Sequence, residues 1–201
     1  YEEVSQKTGM SNELIDKLGG PYTVSEFRLV EKDNKKYYER DADGYSELRD
    51  LDGNLLERRE KESIEIGYEG CEKVETYGKD GTTTENYINH ETGEQTMFQY
   101  DVDAGTVQKM HLKDNVAVRQ SKTIDGSHGS DMRLDDIVFG AGTNDSTKVS
   151  FKYDENNRLA GLDIQDMKTP KKVLIKDELE RIAYVTEQTT VDDVVAEAIQ
   201  E

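Results

Sequence analysis

The sequence predicts a mainly β protein: an antiparallel meander of repeated hairpins, which could form a single curved sheet, with short helices at both ends. Three observations predict this fold class. Apolar and polar residues alternate in short runs such as residues 149–153, the pattern of a strand with one half-buried face. Acidic residues typical of turns recur in steps of 11, 12, 11 and 11 from Asp80 to Asp125. The hydrophobic content is 33%, which suits a sheet that buries few residues per strand.

Residues 1–20 are predicted to be a short helical segment. Ser11 is a suitable N-cap because its hydroxyl can accept a hydrogen bond from a free N–H of the first turn. The apolar residues that follow share one helical face: Leu14, Ile15 and Leu18. Two glycines and a proline at positions 19–21 then end the helix.

Residues 21–188 are predicted to form the repetitive antiparallel β-sheet domain, with about twelve strands given the spacing of its turns. The clearest alternating runs are residues 64–68, 116–118, 149–153 and 162–164. The residues predicted to lie in turns are Asp80, Glu91, Asp103, Asp114, Asp125, Asp145, Asn156, Asp166 and Asp177. Each interval fits one strand and one tight turn.

Residues 189–201 are predicted to be a C-terminal helix. Thr190 and Asp193 have the spacing of a capping box. The apolar stripe of this helix consists of Val191, Val194, Val195, Ala198 and Ile199. A stripe of this kind is expected to dock on another surface.

The charge of the chain restricts its partners. It carries 44 acidic and 26 basic residues, a net charge of −18, and such a surface repels phosphate backbones, so no nucleic acid is expected. No apolar run approaches the roughly 18 residues of a membrane-spanning helix, so no membrane insertion is expected. Cys71 is the only cysteine and has no disulfide partner within the chain. The expected partner is protein, either neighbouring repeats of a parent chain or a basic molecule.

One acidic segment is a candidate calcium site. Asp41, Asp43 and Glu47 lie on alternate or nearby residues around Gly44, and carboxylates with this spacing can converge on a hard cation. A complete EF-hand loop would need Asp at the first and Glu at the twelfth position. This chain has Glu39 and Asp50 there. An ordinary hairpin turn explains the same residues, because Asp and Gly are common in turns.

A second polar segment could carry hydrolytic chemistry. His128 and Asp131 lie beside two serines within residues 127–131, which supplies a base, a carboxylate and a nucleophile. Working triads, however, are assembled from distant segments, and neither serine lies in a nucleophile elbow. A polar loop therefore remains the competing interpretation. No histidine or cysteine pair has the spacing of a zinc site, and no other cofactor is expected.

The heptapeptide at residues 153–159 reads Tyr-Asp-Glu-Asn-Asn-Arg-Leu. It resembles the tyrosine-aspartate repeats of the Rhs family, whose units approximate Tyr-Asp-x-x-Gly-Arg-Leu. Asn157 stands where the family has glycine, and it can likewise adopt a positive φ. Residues 49–55 and the pair Tyr100-Asp101 are weaker echoes within a resemblance that covers residues 40–185. It implies curving sheets that build a shell or surface fibre and perform no chemistry themselves.

The sequence therefore favours a non-enzymatic structural β-repeat segment of a larger bacterial surface, secreted or toxin-associated protein, with an extracellular or cell-surface location. Two alternatives remain open. One is an acidic, immunity-type module that binds and neutralises a basic protein, since the net charge is −18. The other is a hydrolase that uses His128 and Asp131.

Overall fold

The computed structural model describes residues 1–125, 132–166 and 172–173. These residues form two α-helices, one 3-10 helix and thirteen strands, which confirms the predicted antiparallel, mainly β meander. The chain divides into two compact units, Tyr1–Thr92 and Gly93–Glu201. Within each unit, strands that follow one another in the chain are neighbours in the sheet.

The first unit begins with helices α1 (Glu2–Thr8) and α2 (Asn12–Lys17) and the 3-10 helix Val24–Glu26. Gly9 ends α1 with a left-handed φ of 74°, a conformation that glycine adopts without steric penalty. Ser11 caps α2 as predicted, because its Oγ accepts a hydrogen bond from the N–H of Leu14 at 3.2 Å.

Six strands complete the first unit: β1 (Phe27–Lys32), β2 (Lys35–Asp41), β3 (Tyr45–Arg49), β4 (Leu55–Glu60), β5 (Glu72–Tyr77) and β6 (Thr82–Ile88). Its apolar cluster is formed by the helical segments. Ile15, Leu18 and Val24 are buried and pack against Phe27 of β1 and Tyr38 of β2. The helices therefore supply the apolar contacts that the charged strands beside them lack.

Seven strands form the described part of the second unit: β7 (Gln95–Asp101), β8 (Thr106–Lys113), β9 (Val116–Thr123), β10 (Arg133–Phe139), β11 (Thr147–Tyr153), β12 (Leu159–Asp166) and β13 (Lys172–Val173). Its apolar cluster follows a cross-strand row. Val118 pairs with Ile137, which pairs with Val149, and Ile137 is 0% exposed. Burial of one such side chain contributes about 1.5–3 kcal/mol.

Several predicted strands are confirmed. Residues 116–118 lie in β9, residues 149–153 in β11 and residues 162–164 in β12. The C-terminal helix predicted at residues 189–201 lies outside the described residues.

The prediction of a strand at residues 64–68 is wrong. These residues form a loop in which Ile64 and Ile66 are exposed. Gly67 and Gly70 both have positive φ values, 89° and 77°, so the backbone turns twice where a strand would continue.

Two hairpins have turns that match the twist of the strands. Asp33 and Asn34 join β1 to β2 with φ values of 51° and 64°, and Asp114 and Asn115 join β8 to β9 with 51° and 62°. Two central residues with positive φ define the type I′ turn, which suits right-twisted antiparallel strands. Asn and Asp tolerate this conformation better than other non-glycine residues.

Candidate functional site

The residues of the candidate calcium site surround the hairpin between β2 and β3. Asp41 is the last residue of β2, and Glu47 is in the middle of β3. Asp43 lies in the turn just before Gly44, whose φ is 84°. The N–H of Ala42 donates to the carbonyl of Tyr45 at 2.9 Å and closes the turn.

The strand register separates two of these carboxylates. Asp41 lies opposite Ser46, whereas Glu47 lies opposite Arg40. Because neighbouring residues of a strand point to opposite faces, Asp41 and Glu47 lie on different faces of the sheet. In the part of the chain that the structure describes, no group of three or more His, Cys, Asp and Glu side chains could hold a metal ion. Calcium binding at Asp41, Asp43 and Glu47 therefore stays a prediction from the sequence, and the strand register argues against it.

On the face of Asp41, the acidic side chains are paired with basic ones from β1. Arg28 contacts Asp41 at 3.1 Å and also binds Glu39, which accepts a second contact from Lys32 at 3.2 Å. The hydrogen bond from Arg28 holds the pKa of Glu39 below its ordinary value. Arg28 is 62% exposed, so water screens these pairs and each contributes little to stability.

On the opposite face, Glu47 is 7% exposed and lies between two arginines. Its carboxylate is 3.8 Å from Arg40 and 3.4 Å from Arg49. The ring of Tyr45 lies between Arg40, at 5.7 Å from the ring centre, and Arg58, at 4.2 Å. A buried carboxylate needs such partners, because an unpaired charge would be costly to desolvate.

This row of charges continues into β4 and β5. Glu47 lies opposite Arg58, which lies opposite Glu75. Partial burial raises the pKa of Glu75, but hydrogen bonds from Tyr77 and Lys73 outweigh it, and the net pKa is lowered. Burial and the bond to Glu75 raise the pKa of Tyr77 to about 12. The arrangement keeps opposite charges together and has the character of a structural ladder.

Sequence reasoning missed this charge ladder. Its members Arg40, Glu47, Arg58 and Glu75 come from four strands, and their distances in the sequence carry no signal until the register is known. The only sequence signal was the density of charged residues within β2, β4 and β5.

The two histidines that the structure describes each contact a different glutamate. His111 Nε2 is 2.6 Å from Glu94 Oε1, and the hydrogen bond to His111 lowers the pKa of Glu94. His90 Nε2 is 3.6 Å from Glu72. His128 and Asp131, the residues of the hydrolase hypothesis, lie outside the described residues, so that hypothesis stays a prediction.

A five-residue turn links β3 to β4 at residues 50–54. The N–H of Asp50 donates to the carbonyl of Asn54 at 3.0 Å, and the N–H of Gly53 donates back to the carbonyl of Asp50 at 3.0 Å. Gly53 has a φ of 87°. Arg49, just before the turn, is paired with Leu55, just after it, in the antiparallel register.

The same turn links β11 to β12 within the segment that resembles the tyrosine-aspartate repeats. The N–H of Asp154 donates to the carbonyl of Arg158 at 2.9 Å, and the N–H of Asn157 donates to the carbonyl of Asp154 at 3.0 Å. Asn157 has a φ of 63°. Tyr153 lies opposite Leu159, the pairing that Arg49 makes with Leu55.

A third copy of the turn links β5 to β6. Gly78 donates to the carbonyl of Thr82 at 2.7 Å and Gly81 donates to that of Gly78 at 3.4 Å. Gly81 has a φ of 82°, and Tyr77 lies opposite Thr83. The Tyr100-Asp101 echo differs, because Asp101 pairs directly with Thr106 across a shorter turn.

Comparison of this chain with protein-family models, with curated proteins and with solved structures finds no match. Among the described residues, no helix is both long and apolar enough to cross a membrane.

Proposed function

We propose that this chain is a non-enzymatic structural segment of a larger bacterial surface, secreted or toxin-associated protein, built from tandem β-hairpins. The observation that carries the proposal is the recurrence of one five-residue turn at residues 50–54, 78–82 and 154–158. A local unit that recurs with the same hydrogen bonds is typical of repeat proteins, in which each unit is stabilised by its neighbours.

The distribution of apolar contacts supports the same proposal. Each unit has its own small cluster, centred on Ile15 and Leu18 in the first and on Ile137 in the second. Away from its cluster, the strands of the first unit are held by ladder hydrogen bonds and by cross-strand charge pairs such as Glu47 with Arg40. Because few apolar side chains are needed per strand, a chain with 33% hydrophobic residues can form this many strands.

The titratable groups also support a structural role. Glu39 and Glu47 are paired with basic side chains of the neighbouring strands, Lys32 and Arg40, and Glu75 is paired with Lys73 of its own strand. The pKa values of Glu39 and Glu75 are lowered. A catalytic carboxylate that exchanges protons near neutral pH would instead need a raised pKa.

A second candidate is an acidic, immunity-type module that binds a basic protein. The observation that favours it is the net charge of −18, which would speed association with a basic partner and make it sensitive to salt.

Truncation tests the structural proposal. Removal of residues 166–201 should leave a strand-rich product with slow amide exchange in β5 and β6, because loss of an end unit removes only the interface it shares with the next. Complete unfolding of the truncated chain would contradict the proposal. So would a hydrolytic activity that His128→Ala removes, which would support the hydrolase alternative.

A further inference from the structure

The loop between β4 and β5 carries two unusually exposed isoleucines. Ile64 is 91% exposed and Ile66 is 94% exposed, although isoleucine is among the residues most often buried in proteins. We call this pair the Ile knob. Isolated exposed apolar residues are common, but these two are separated by a single residue of the same loop, and clustered exposed apolar residues are typical of interaction sites.

The base of the loop is firmly held. The N–H of Ser63 donates to the carbonyl of Cys71 at 2.7 Å, and the N–H of Gly70 donates to the carbonyl of Ser63 at 2.9 Å. Tyr68 stacks on Tyr87 of β6 with ring centres 4.3 Å apart. The Ile knob is therefore presented on an ordered base, which lowers the entropy lost on binding.

A complementary surface exists in the second unit. Tyr100 lies opposite Val107, which lies opposite Lys122, so the three side chains share one face. Together with Phe98, Ile124 and Met132 they line an apolar groove of about 320 Å³. We call it the β7–β9 groove. Its volume falls within the ~300–1,000 Å³ of typical ligand pockets, enough for two branched side chains.

The charges around the two surfaces are complementary. Glu62, Glu65 and Glu69 flank the Ile knob, and Glu65 also contacts Lys73 at 3.4 Å. The groove has Lys122 in its lining and Lys109 at 5.9 Å from the ring centre of Phe98. The acidic flanks oppose an anionic lipid surface, so these charges favour a protein partner.

We propose that the Ile knob of one copy inserts into the β7–β9 groove of a second copy. The contact joins two different surfaces, so it is heterologous and can continue head to tail into chains. The evidence for this contact is the loop and the groove alone, and the contact does not depend on the proposed structural function. The net charge of −18 makes whole copies repel one another, so the association is expected to be weak.

Sedimentation of the full chain tests the proposal. The weight-average mass of the wild type should rise beyond that of a pair as concentration approaches about 1 mM, the range of weak contacts. The double variant Ile64→Ser, Ile66→Ser should weaken association at least roughly tenfold. Tyr22→Ser is the matched control, because Tyr22 is 93% exposed elsewhere in the first unit, and it should behave as the wild type.

Mixing two defective variants gives the sharpest outcome. Ile124→Asp alters the groove at a residue that is 52% exposed, so the fold should survive, and circular dichroism checks this. The double variant has an intact groove and Ile124→Asp has an intact Ile knob, so each variant alone should stay monomeric. An equimolar mixture should form pairs and nothing larger, because each pair can make only one intact contact.

Three results would overturn the proposal: a wild type that stays monomeric at all concentrations, variants that associate as the wild type does, or a mixture that stays monomeric. A wild type that stays monomeric but binds vesicles of neutral phospholipid would assign the Ile knob to a membrane surface instead.

Discussion

Asp50 and Asp154 make the same pair of hydrogen bonds in different units of the chain. Asp50 Oδ1 accepts from the N–H groups of Asp52 at 3.0 Å and Asn54 at 2.8 Å. Asp154 Oδ1 accepts from the residues at the same two positions after it, Asn156 and Arg158, both at 2.9 Å. An aspartate that satisfies two N–H groups stabilises its turn locally, which allows the unit to recur in different surroundings.

Replacement of these aspartates should destabilise both units to a similar extent. Asp50→Ala and Asp154→Ala each remove an acceptor from two backbone N–H groups, so each should lower the free energy of unfolding by about 1–2 kcal/mol. Chemical denaturation measures this loss. Asp50→Asn is the control, because its amide oxygen can still accept both bonds. A variant as stable as the wild type would show that the shared turn geometry does not depend on the carboxylate.

Gly53 should be less replaceable than Gly44, although both have a positive φ. A Cβ at this position would lie 2.8 Å from Cβ of Lys17 and 3.0 Å from Cδ1 of Leu14 in α2. Gly44 has a similar φ but nothing within 4 Å of the added atom. Gly44→Ala should therefore cost about 1 kcal/mol from the backbone alone, and Gly53→Ala should cost more. Equal melting temperatures of the two variants would contradict the close approach of α2.

Stability should fall at alkaline pH. Burial, and then the charge of Asp135, raise the pKa of Tyr153 to about 12, against about 10 in an unfolded chain. Because the folded state holds this proton more tightly, the stabilisation is complete below about pH 10 and is lost as the pH rises towards about 12.

Denaturation curves at several pH values test this loss. Tyr153→Phe should flatten the decline, although it also removes the hydrogen bond to the carbonyl of Leu134 at 2.5 Å. If the free energy of unfolding of Tyr153→Phe falls with rising pH as steeply as that of the wild type, other groups such as Tyr77 and Tyr87 cause the loss of stability.

Calcium should not raise the melting temperature. Asp41 and Glu47 lie on opposite faces of the sheet according to their register, and both are already paired with arginines. A ligand that binds only the folded state would raise the melting temperature. A rise in millimolar calcium that Asp43→Ala abolishes would show instead that the three carboxylates converge on the ion.

The sequence was sufficient for the fold class and for several local elements. The cap at Ser11 and the strand at residues 149–153 are local patterns, so they could be predicted directly. The loop at residues 64–68 was mistaken for a strand because alternation alone does not reveal that Gly67 and Gly70 turn the backbone.

The charge ladder could not be predicted, because cross-strand partners such as Arg58 and Glu75 depend on register, which the sequence states only indirectly. The same limit applied to the candidate calcium residues. The spacing of Asp41, Asp43 and Glu47 in the sequence is compatible with convergence on one ion. In the sheet, however, Glu47 lies opposite Arg40, the neighbour of Asp41, so the side chains of Asp41 and Glu47 lie on opposite faces.

Native-state hydrogen exchange of Ile137→Ala tests the central claim, that neighbouring hairpins stabilise one another in a repeating array. Ile137 is the most buried residue of the second unit's cluster, and its truncation should remove about 2–4 kcal/mol. In a repeat array this loss stays local, so protection should fall in β9 to β12 and persist in β1 to β6. Ile15→Ala should give the reverse pattern. An equal loss of protection in every strand would contradict the account, since it is the behaviour of a single cooperative core.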